Sequence, residues 1–406
     1  MHGTMSNFHA ALEIGTTRTV LAIGEVDANG RLRITSHAEI PSTGVRKSQI
    51  LDINQATQSI RSVLQKTEAL QEASGDRITL GNAFLVVSGQ SIRSDTFSAS
   101  TQIEGNKVGP NEIDAVQGLT RELFKLPRDR ELLDVIDQDF VVDRMSGVTS
   151  PRGLSGRVLS LNTLQIHADH NRIQDARTAA DAARLEIRDP LYAVTCAADA
   201  VLEDPERKNG VLVLDLGGGS TGYAVYADGY AVSTGVFGVG GDHVTNDIAL
   251  AFQTTNNQAE RLKCEEASAR VTADEDAAPR VRVERGDNTL MDNRTISRRA
   301  LNTVVNARLL ELFAMIRETL EEQDLLHRLH RGVVLTGGGA RMRDIEPLAE
   351  QAFGTTVRLG KPIYVDGLED ADFPPAYAAV AGALLYAHRN YPDKSLFDGF
   401  FGRIFK

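Results

Sequence analysis

Apolar positions along this chain fall into two alternating rhythms, and one short pattern occurs twice. In Val211-Leu-Val-Leu-Asp215-Leu-Gly217-Gly218-Gly219-Ser220-Thr221, four apolar residues mark a buried strand, and glycines and hydroxyls follow. Tyr223-Ala-Val-Tyr226 then alternates and stops at Asp228-Gly229, so a second strand folds back as a β-hairpin. About two hundred residues earlier, Leu12-Glu13-Ile14-Gly15-Thr16-Thr17-Arg18-Thr19-Val20-Leu21-Ala22-Ile23 lies on residues 214–225 without a gap. Glu13 falls on Asp215, Gly15 on Gly217, Thr19 on Thr221 and Ala22 on Ala224, and the first copy also runs to a turn, Asp27-Ala28-Asn29-Gly30. A third glycine turn, Thr336-Gly337-Gly338-Gly339-Ala340, follows the apolar run 332–335 and leads into a predicted helix start at 341–345.

The remaining periodicity supplies the surroundings. Residues 31–35 read as a third strand, 55–73 as a helix with Ala56, Ile60, Val63, Leu64 and Leu70 facing inward, and 83–87 as a buried strand. From 91 to 167 a strand, a helix (109–124) and two further strands (132–142, 158–167) make an α+β unit that looks inserted. Helices are expected at 171–187, 192–202, 243–252, from 258, at 297–330 and at 376–388. A short strand is expected at 281–284.

The end of the chain has its own pattern. After a break at Pro392, Leu396, Phe397, Phe400, Phe401, Ile404 and Phe405 fill one half of a helical wheel, and Asp398, Gly399, Gly402, Arg403 and Lys406 fill the other. Gly399 and Gly402 weaken it as an isolated helix by roughly 1 kcal/mol each, so it needs a surface to fold on. A membrane interface, a groove on a protein, or packing as a last core helix would each serve. The two basic residues beside the apolar face favour the membrane.

The glycine turns suggest phosphate chemistry. Without a Cβ, backbone N–H groups approach a phosphate closely, and neighbouring hydroxyls add donors. A carboxylate at the strand end holds magnesium through water. Two such hairpins facing each other would grip a polyphosphate and its metal from both sides. Gly217, Gly219 and Gly222 also satisfy the spacing of a dinucleotide fingerprint, but a strand follows where that fingerprint opens a helix. No P-loop pattern occurs. Glu260 and Lys263 stand three apart on one helical face, which is a surface ion pair or, in context, a ligand contact.

Composition narrows the classes. The 406 residues suffice for two to four domains, and 42% hydrophobic with 24% charged is an ordinary globular balance. A net charge of −11 argues against nonspecific nucleic-acid binding. Cys196 and Cys264 sit in no metal spacing and read as reduced thiols. The beginning of the sequence lacks a secretory pattern, and the longest apolar window, at 376–387, is about half of a bilayer span.

Taken together, the paired hairpins and the Gly337-Gly338-Gly339-Ala340 turn resemble the actin/Hsp70/sugar-kinase superfamily. Within it the chain resembles the FtsA family of bacterial cell-division actin homologues. The matching stretches include Leu12-Glu13-Ile14-Gly15-Thr16, Asp215-Leu-Gly-Gly-Gly-Ser-Thr221, Val239-Gly240-Gly241-Asp242-His243 and Ala259-Glu260-Arg261-Leu262-Lys263. Ser150-Pro151-Arg152-Gly153-Leu154-Ser155-Gly156 and the amphipathic end match as well.

The resemblance implies an α/β fold of duplicated actin-like (ribonuclease H-like) domains around a nucleotide cleft. Its segments would be 8–90 with 168–210, an inserted α+β subdomain at 91–167, 211–258 with 332–390, a subdomain at 259–331, and a linker with an amphipathic membrane-targeting helix at 391–406. It assigns the phosphates of ATP to Gly15, Thr16, Thr17 and Gly217, Gly218, Gly219, Ser220, Thr221, and counts Gly241 among the nucleotide contacts. It assigns Mg2+ to Glu13 and Asp215, ribose and adenine to Glu260 and Lys263, the base to Gly337, Gly338 and Gly339, and a water-orienting role to Glu206.

The implied function is an ATP-binding protein that polymerises on the inner membrane face at the division site. It would tether the FtsZ ring there, with FtsZ, other divisome proteins, the lipid membrane and further copies of itself as partners, and at most slow hydrolysis. A small-molecule kinase of the same superfamily is the alternative, but no motif identifies its general base. Glu13 in place of the commoner aspartate, Pro205 before Glu206, and a short linker before the tail depart from the family pattern.

Overall fold

The computed structural model describes residues 8–26, 31–74, 80–272, 279–283 and 294–391. From the N-terminus, β1 (Phe8–Ile14), β2 (Arg18–Val26) and β3 (Leu32–Pro41) form an antiparallel meander, followed by a small hairpin of β4 (Val45–Arg46) and β5 (Gln49–Ile50). Helix α1 (Ile53–Ser74) and β6 (Asn82–Val87) complete the first stretch. Next come β7 (Arg93–Gln102), α2 (Pro110–Leu123), β8 (Arg130–Val142), β9 (Met145–Val148) and β10 (Val158–Asp169). The chain returns through α3 (His170–Ala182), β11 (Glu186–Tyr192), α4 (Ala193–Val201) and α5 (Asp204–Asn209).

The second half repeats the plan. β12 (Val211–Leu216), β13 (Thr221–Ala227) and β14 (Tyr230–Phe237) form a meander, and α6 (Gly241–Phe252) and α7 (Asn256–Glu265) follow. Beyond them lie β15 (Val281–Val283), β16 (Arg294–Ile296), α8 (Arg298–Glu322), β17 (Val333–Thr336), α9 (Ile345–Phe353), β18 (Val357–Leu359), β19 (Val365–Asp366) and α10 (Ala378–Asn390).

The two large sheets have the same strand order. One runs β11-β6-β1-β2-β3-β19 and the other β14-β13-β12-β17-β18; in each, the first strand of a meander pairs in parallel with the next crossover strand. Only the short β19, beside β3, breaks the match. The central strands read as they do because both faces are covered. Val211, Leu212, Val213 and Leu214 are all buried, each worth about 1.5–3 kcal/mol. At the second hairpin's far turn, Asp228 and Gly229 take φ of 57° and 97°, the left-handed pair that lets two residues reverse a right-twisted ribbon.

The insert forms a separate four-stranded sheet, β7-β10-β8-β9, with its own small core of Val108, Val116, Phe140, Val142, Leu159 and Leu161. It leans on the edge of the second sheet. Gln138 Nε2 donates to the Ala231 carbonyl (2.9 Å) and Ser94 Oγ to the Thr234 carbonyl (2.8 Å).

Four sequence expectations need correction. The helix expected over 171–187 stops at Ala182, Arg184 takes φ 65°, and Glu186–Tyr192 is an edge strand pairing with β6; alanine content masked a strand whose Pro190 sits at a register shift. Helix α8 ends at Glu322 rather than near 330, because Asp324 turns left-handed (φ 56°). Leu70, expected to face inward on α1, is 44% exposed. Finally, α10, expected with the second half, packs into the first half's core. Its Gly382 leaves room for the α4 backbone, since a Cβ there would stand 1.7 Å from the Cys196 carbonyl oxygen.

Candidate functional site

The two repeated hairpins close on each other across one cleft of about 580 Å³. Each turn is built in the same way. Gly15 N–H donates to the Arg18 carbonyl at 3.0 Å, and Gly217 N–H donates to the Ser220 carbonyl at 3.0 Å. Those bonds leave no room beside them: a Cβ would lie 2.8 Å from the Arg18 oxygen in the first turn and 2.9 Å from the Ser220 oxygen in the second. The strand registers agree too, Ile14 facing Thr19 as Leu216 faces Thr221.

The turns also touch each other. A Cβ on Gly218 would meet Thr17 Oγ1 at 2.0 Å, and Thr17 Oγ1 also donates to Asp242 Oδ1 at the start of α6 (3.4 Å). Gly15, Thr16, Thr17, Gly217, Gly218, Ser220, Thr221, Gly241, Glu260, Lys263, Gly337, Gly338 and Gly339 all line the cleft, as do Glu13 and Asp215. Gly219 backs the second turn, where a Cβ would meet Thr16 Oγ1 at 2.5 Å.

The two carboxylates are partly buried and both resist ionisation. Burial pushes the Glu13 carboxyl up to about 7; Arg18 opposes this, and the charges of Asp215 and Glu39 add to it. Burial pushes Asp215 up to about 6, again with Arg18 opposing. Two partly buried carboxyls of raised pKa are a donor pair that a divalent cation would relieve. The third glycine turn crowds this point: Gly337 takes φ 80°, and a Cβ there would stand 2.4 Å from Asp215 Oδ1.

Opposite, α6 and α7 meet in a polar network. Lys263 Nζ donates to Glu260 Oε2 (2.7 Å), to Thr245 Oγ1 (3.0 Å) and to the Gly241 carbonyl (3.3 Å), while Thr245 Oγ1 donates to Glu260. Burial would raise the Glu260 carboxyl, but the Lys263 ammonium and the Thr245 hydroxyl outweigh it and hold it below its ordinary value. A polyphosphate with a divalent cation fits these residues: two glycine-containing turns with hydroxyl side chains, two partly buried carboxylates and the Glu260–Lys263 pair line one cleft.

Glu206 is a correction. It does not line the cleft. It sits on α5, where its carboxylate accepts from Arg358 Nε (2.8 Å) and Nη2 (2.7 Å) on β18 and from the Glu203 N–H (2.9 Å). Burial would raise this carboxyl, but the Arg358 guanidinium and the cap bond hold it below its ordinary value. The residue closes the start of a short helix and fastens it to the second sheet, 152 positions away. At the β11–α4 junction the cleft wall is Tyr192, Ala193 and Val194 instead. The apolar tail residues Leu396, Phe397, Phe400, Phe401, Ile404 and Phe405, and the turn 27–30, lie outside the described residues.

Sequence reading missed Arg18, Glu39 and Ser48. Arg18 pairs with Glu39, donates to the Ala376 carbonyl and stacks over the Tyr377 ring at 5.3 Å. A signal for it existed: in the hairpin alignment Arg18 stands where the second copy has Ser220, a charge in place of a hydroxyl. Ser48 lines the cleft from the tip of the β4–β5 hairpin, where no periodicity marked it.

Two sheets of one strand order, joined over a cleft by matched hairpin turns, define a protein of the actin-like ATPase fold. The solved PilM–PilN type IV pilus biogenesis complex superposes with a TM-score of 0.63 at 17% identity, covering 93% of this chain and 98% of that one. MreB 5 of Spiroplasma citri bound to AMPPNP superposes with a TM-score of 0.52 at 14% identity, covering 98% and 99%.

The model of the cell division protein FtsA matches residues 212–382, and that of the SHS2 domain inserted in FtsA matches residues 89–167. Cell division protein FtsA of Pseudomonas aeruginosa is 33% identical over 386 residues, 94% of this chain and 89% of that protein. FtsA of Escherichia coli is 27% identical over 388 residues, 94% and 90%. The chain belongs to the FtsA family of cell division proteins.

Proposed function

We propose that this chain binds ATP with magnesium between its two hairpin turns, assembles into filaments on the inner membrane face at the division site, and tethers the FtsZ ring and other divisome proteins there. The observation that carries the reading is the placement of Glu13 and Asp215 at equivalent ends of matched hairpins lining one cleft. Gly15 to Thr17 and Gly217 to Thr221 hold the phosphates, Gly241, Glu260 and Lys263 the ribose and base, and Gly337 to Gly339 the underside of the base. Glu13 and Asp215 would hold magnesium, which would supply neutralisation of phosphate charge. Turnover in this reading is at most slow.

The membrane contact is the amphipathic stretch 396–405, with Arg403 and Lys406 against anionic headgroups. Among the described residues no helix is long and apolar enough to cross a membrane. The body divides as the resemblance implies, except that α10 goes with the first domain.

Vesicle co-sedimentation tests the reading. With ATP and magnesium, the full chain pellets with anionic vesicles and brings FtsZ with it, whereas a chain ending at Tyr391 stays in solution. Equal pelleting of both chains removes the tether. Absence of ATP binding by calorimetry removes the nucleotide site.

A further inference from the structure

A third element reaches the place where the two turns meet. The β4–β5 hairpin turns through Lys47 and Ser48, whose φ values are 50° and 56°. Two-residue hairpin turns of this hand normally use Asn-Gly or a similar pair, because a Cβ is disfavoured in the left-handed region. Strain of this kind persists only where the surroundings impose it, and it concentrates at binding sites.

The surroundings here are the two phosphate turns. Ser48 N–H donates to Thr16 Oγ1 (2.7 Å) in the first turn. Ser48 Oγ lies 3.4 Å from Thr16 Oγ1 and 3.4 Å from Ser220 Oγ in the second, and Ser88 Oγ donates to it at 3.5 Å. Four hydroxyls from four segments thus converge on one point of the cleft wall.

Two glycines clear space for the tip. A Cβ on Gly219 would meet Lys47 Cα at 2.8 Å, and one on Gly89 would meet Ser48 Cβ at 2.6 Å. The hairpin is closed at its base, where Leu51 N–H and Asp52 N–H both donate to the Gly44 carbonyl (2.7 and 3.2 Å).

We propose that the Ser48 hydroxyl, at the tip of this hairpin, is a terminal-phosphate ligand that distinguishes a nucleoside triphosphate from a diphosphate. This rests on the nucleotide reading above and names the residue that gives the site its preference. Ser48 contacts hydroxyls of both turns and none of the Glu260–Lys263–Gly241 group assigned to ribose and base, so it meets the phosphate end of the ligand. A hydroxyl that now shares weak bonds with three others gains a charged acceptor when the terminal phosphate enters.

The test is calorimetric affinity for ADP and for AMPPNP, each with magnesium, in the wild-type chain, Ser48→Ala and Ser48→Gly. Both variants lack the hydroxyl, but Ala worsens the left-handed turn and Gly relaxes it. Both should bind AMPPNP more weakly by roughly tenfold, as for loss of one bond to a charged group, with ADP affinity unchanged within about twofold. A higher melting temperature for Ser48→Gly would confirm that the turn is strained and that the loss is not unfolding. An AMPPNP/ADP ratio in Ser48→Gly equal to wild type, or an equal fall for both ligands, overturns the proposal while leaving the nucleotide site intact. Wild-type protein that binds neither ligand overturns both.

Discussion

The two hairpins share backbone geometry and differ in what stands behind them. Gly15 and Gly217 make the same 3.0 Å bond to the residue three positions on. Yet Glu13 is backed by a charged pair, Arg18 and Glu39, whereas Asp215 is backed by the bare backbone of Gly337. Arg18 therefore acts on the charge of both carboxyls, and the second is in addition crowded sterically by Gly337. A duplicated scaffold gives two turns of one backbone geometry, and their side chains and supports make them unlike.

The largest expected break in that comparison is Gly337→Ala. At φ 80°, with a Cβ 2.4 Å from Asp215 Oδ1, it should cost on the order of 3 kcal/mol and displace the carboxylate. Gly15→Ala and Gly217→Ala, at 2.8 and 2.9 Å from matching carbonyls, should each cost less and by similar amounts. Urea denaturation ranks the three, and unequal effects at 15 and 217 would break the symmetry.

Next is pH. The Glu13 carboxyl at about 7 and Asp215 at about 6 lie above the ordinary carboxylate range, so the folded protein holds protons that the unfolded chain has released. Their contribution to the nucleotide-free protein is therefore most favourable below about pH 4 and is lost as pH rises through about 7. Glu13→Gln removes the larger part of that loss. It should stabilise the nucleotide-free protein by on the order of 3 kcal/mol at pH 8 and hardly at all below pH 5. Added magnesium should stabilise the wild type and not this variant. Melting curves across pH decide it, and a variant less stable than wild type at pH 8 refutes the burial argument.

A smaller effect sharpens the reassignment of Glu206. Glu206→Ala and Arg358→Ala should each cost about 1–2 kcal/mol, and the double variant little more, because one removes what the other needs. ATP turnover, whatever its rate, should not change. A selective loss of turnover in Glu206→Ala would return the residue to the chemistry. The smallest effect is at the Glu260–Lys263 pair, where, on the proposed nucleotide reading, Lys263→Ala should weaken ATP binding by about tenfold and, through its lost bonds to Glu260, Thr245 and Gly241, cost about 1 kcal/mol of stability.

The hairpins, the glycine turns and most helices were legible in the chain alone because each is a local bargain among neighbours. Alternation, a turn pair such as Asp228-Gly229, and glycine where a carbonyl crowds the Cβ all lie within a dozen residues. The equivalence of Glu13 and Asp215 was visible for the same reason, since a duplicated local pattern repeats its sequence.

What only the tertiary structure decided involves partners far along the chain. Glu206 finds Arg358 on the other sheet, α10 packs against α4 through Gly382, and the alanine-rich run before residue 187 gives way to a strand because β6 offers it an edge. Ser48 joins the site only when two turns, about two hundred residues apart in sequence, come together around it. Side-chain patterning records which way a segment faces; which distant backbone it meets there is set by packing.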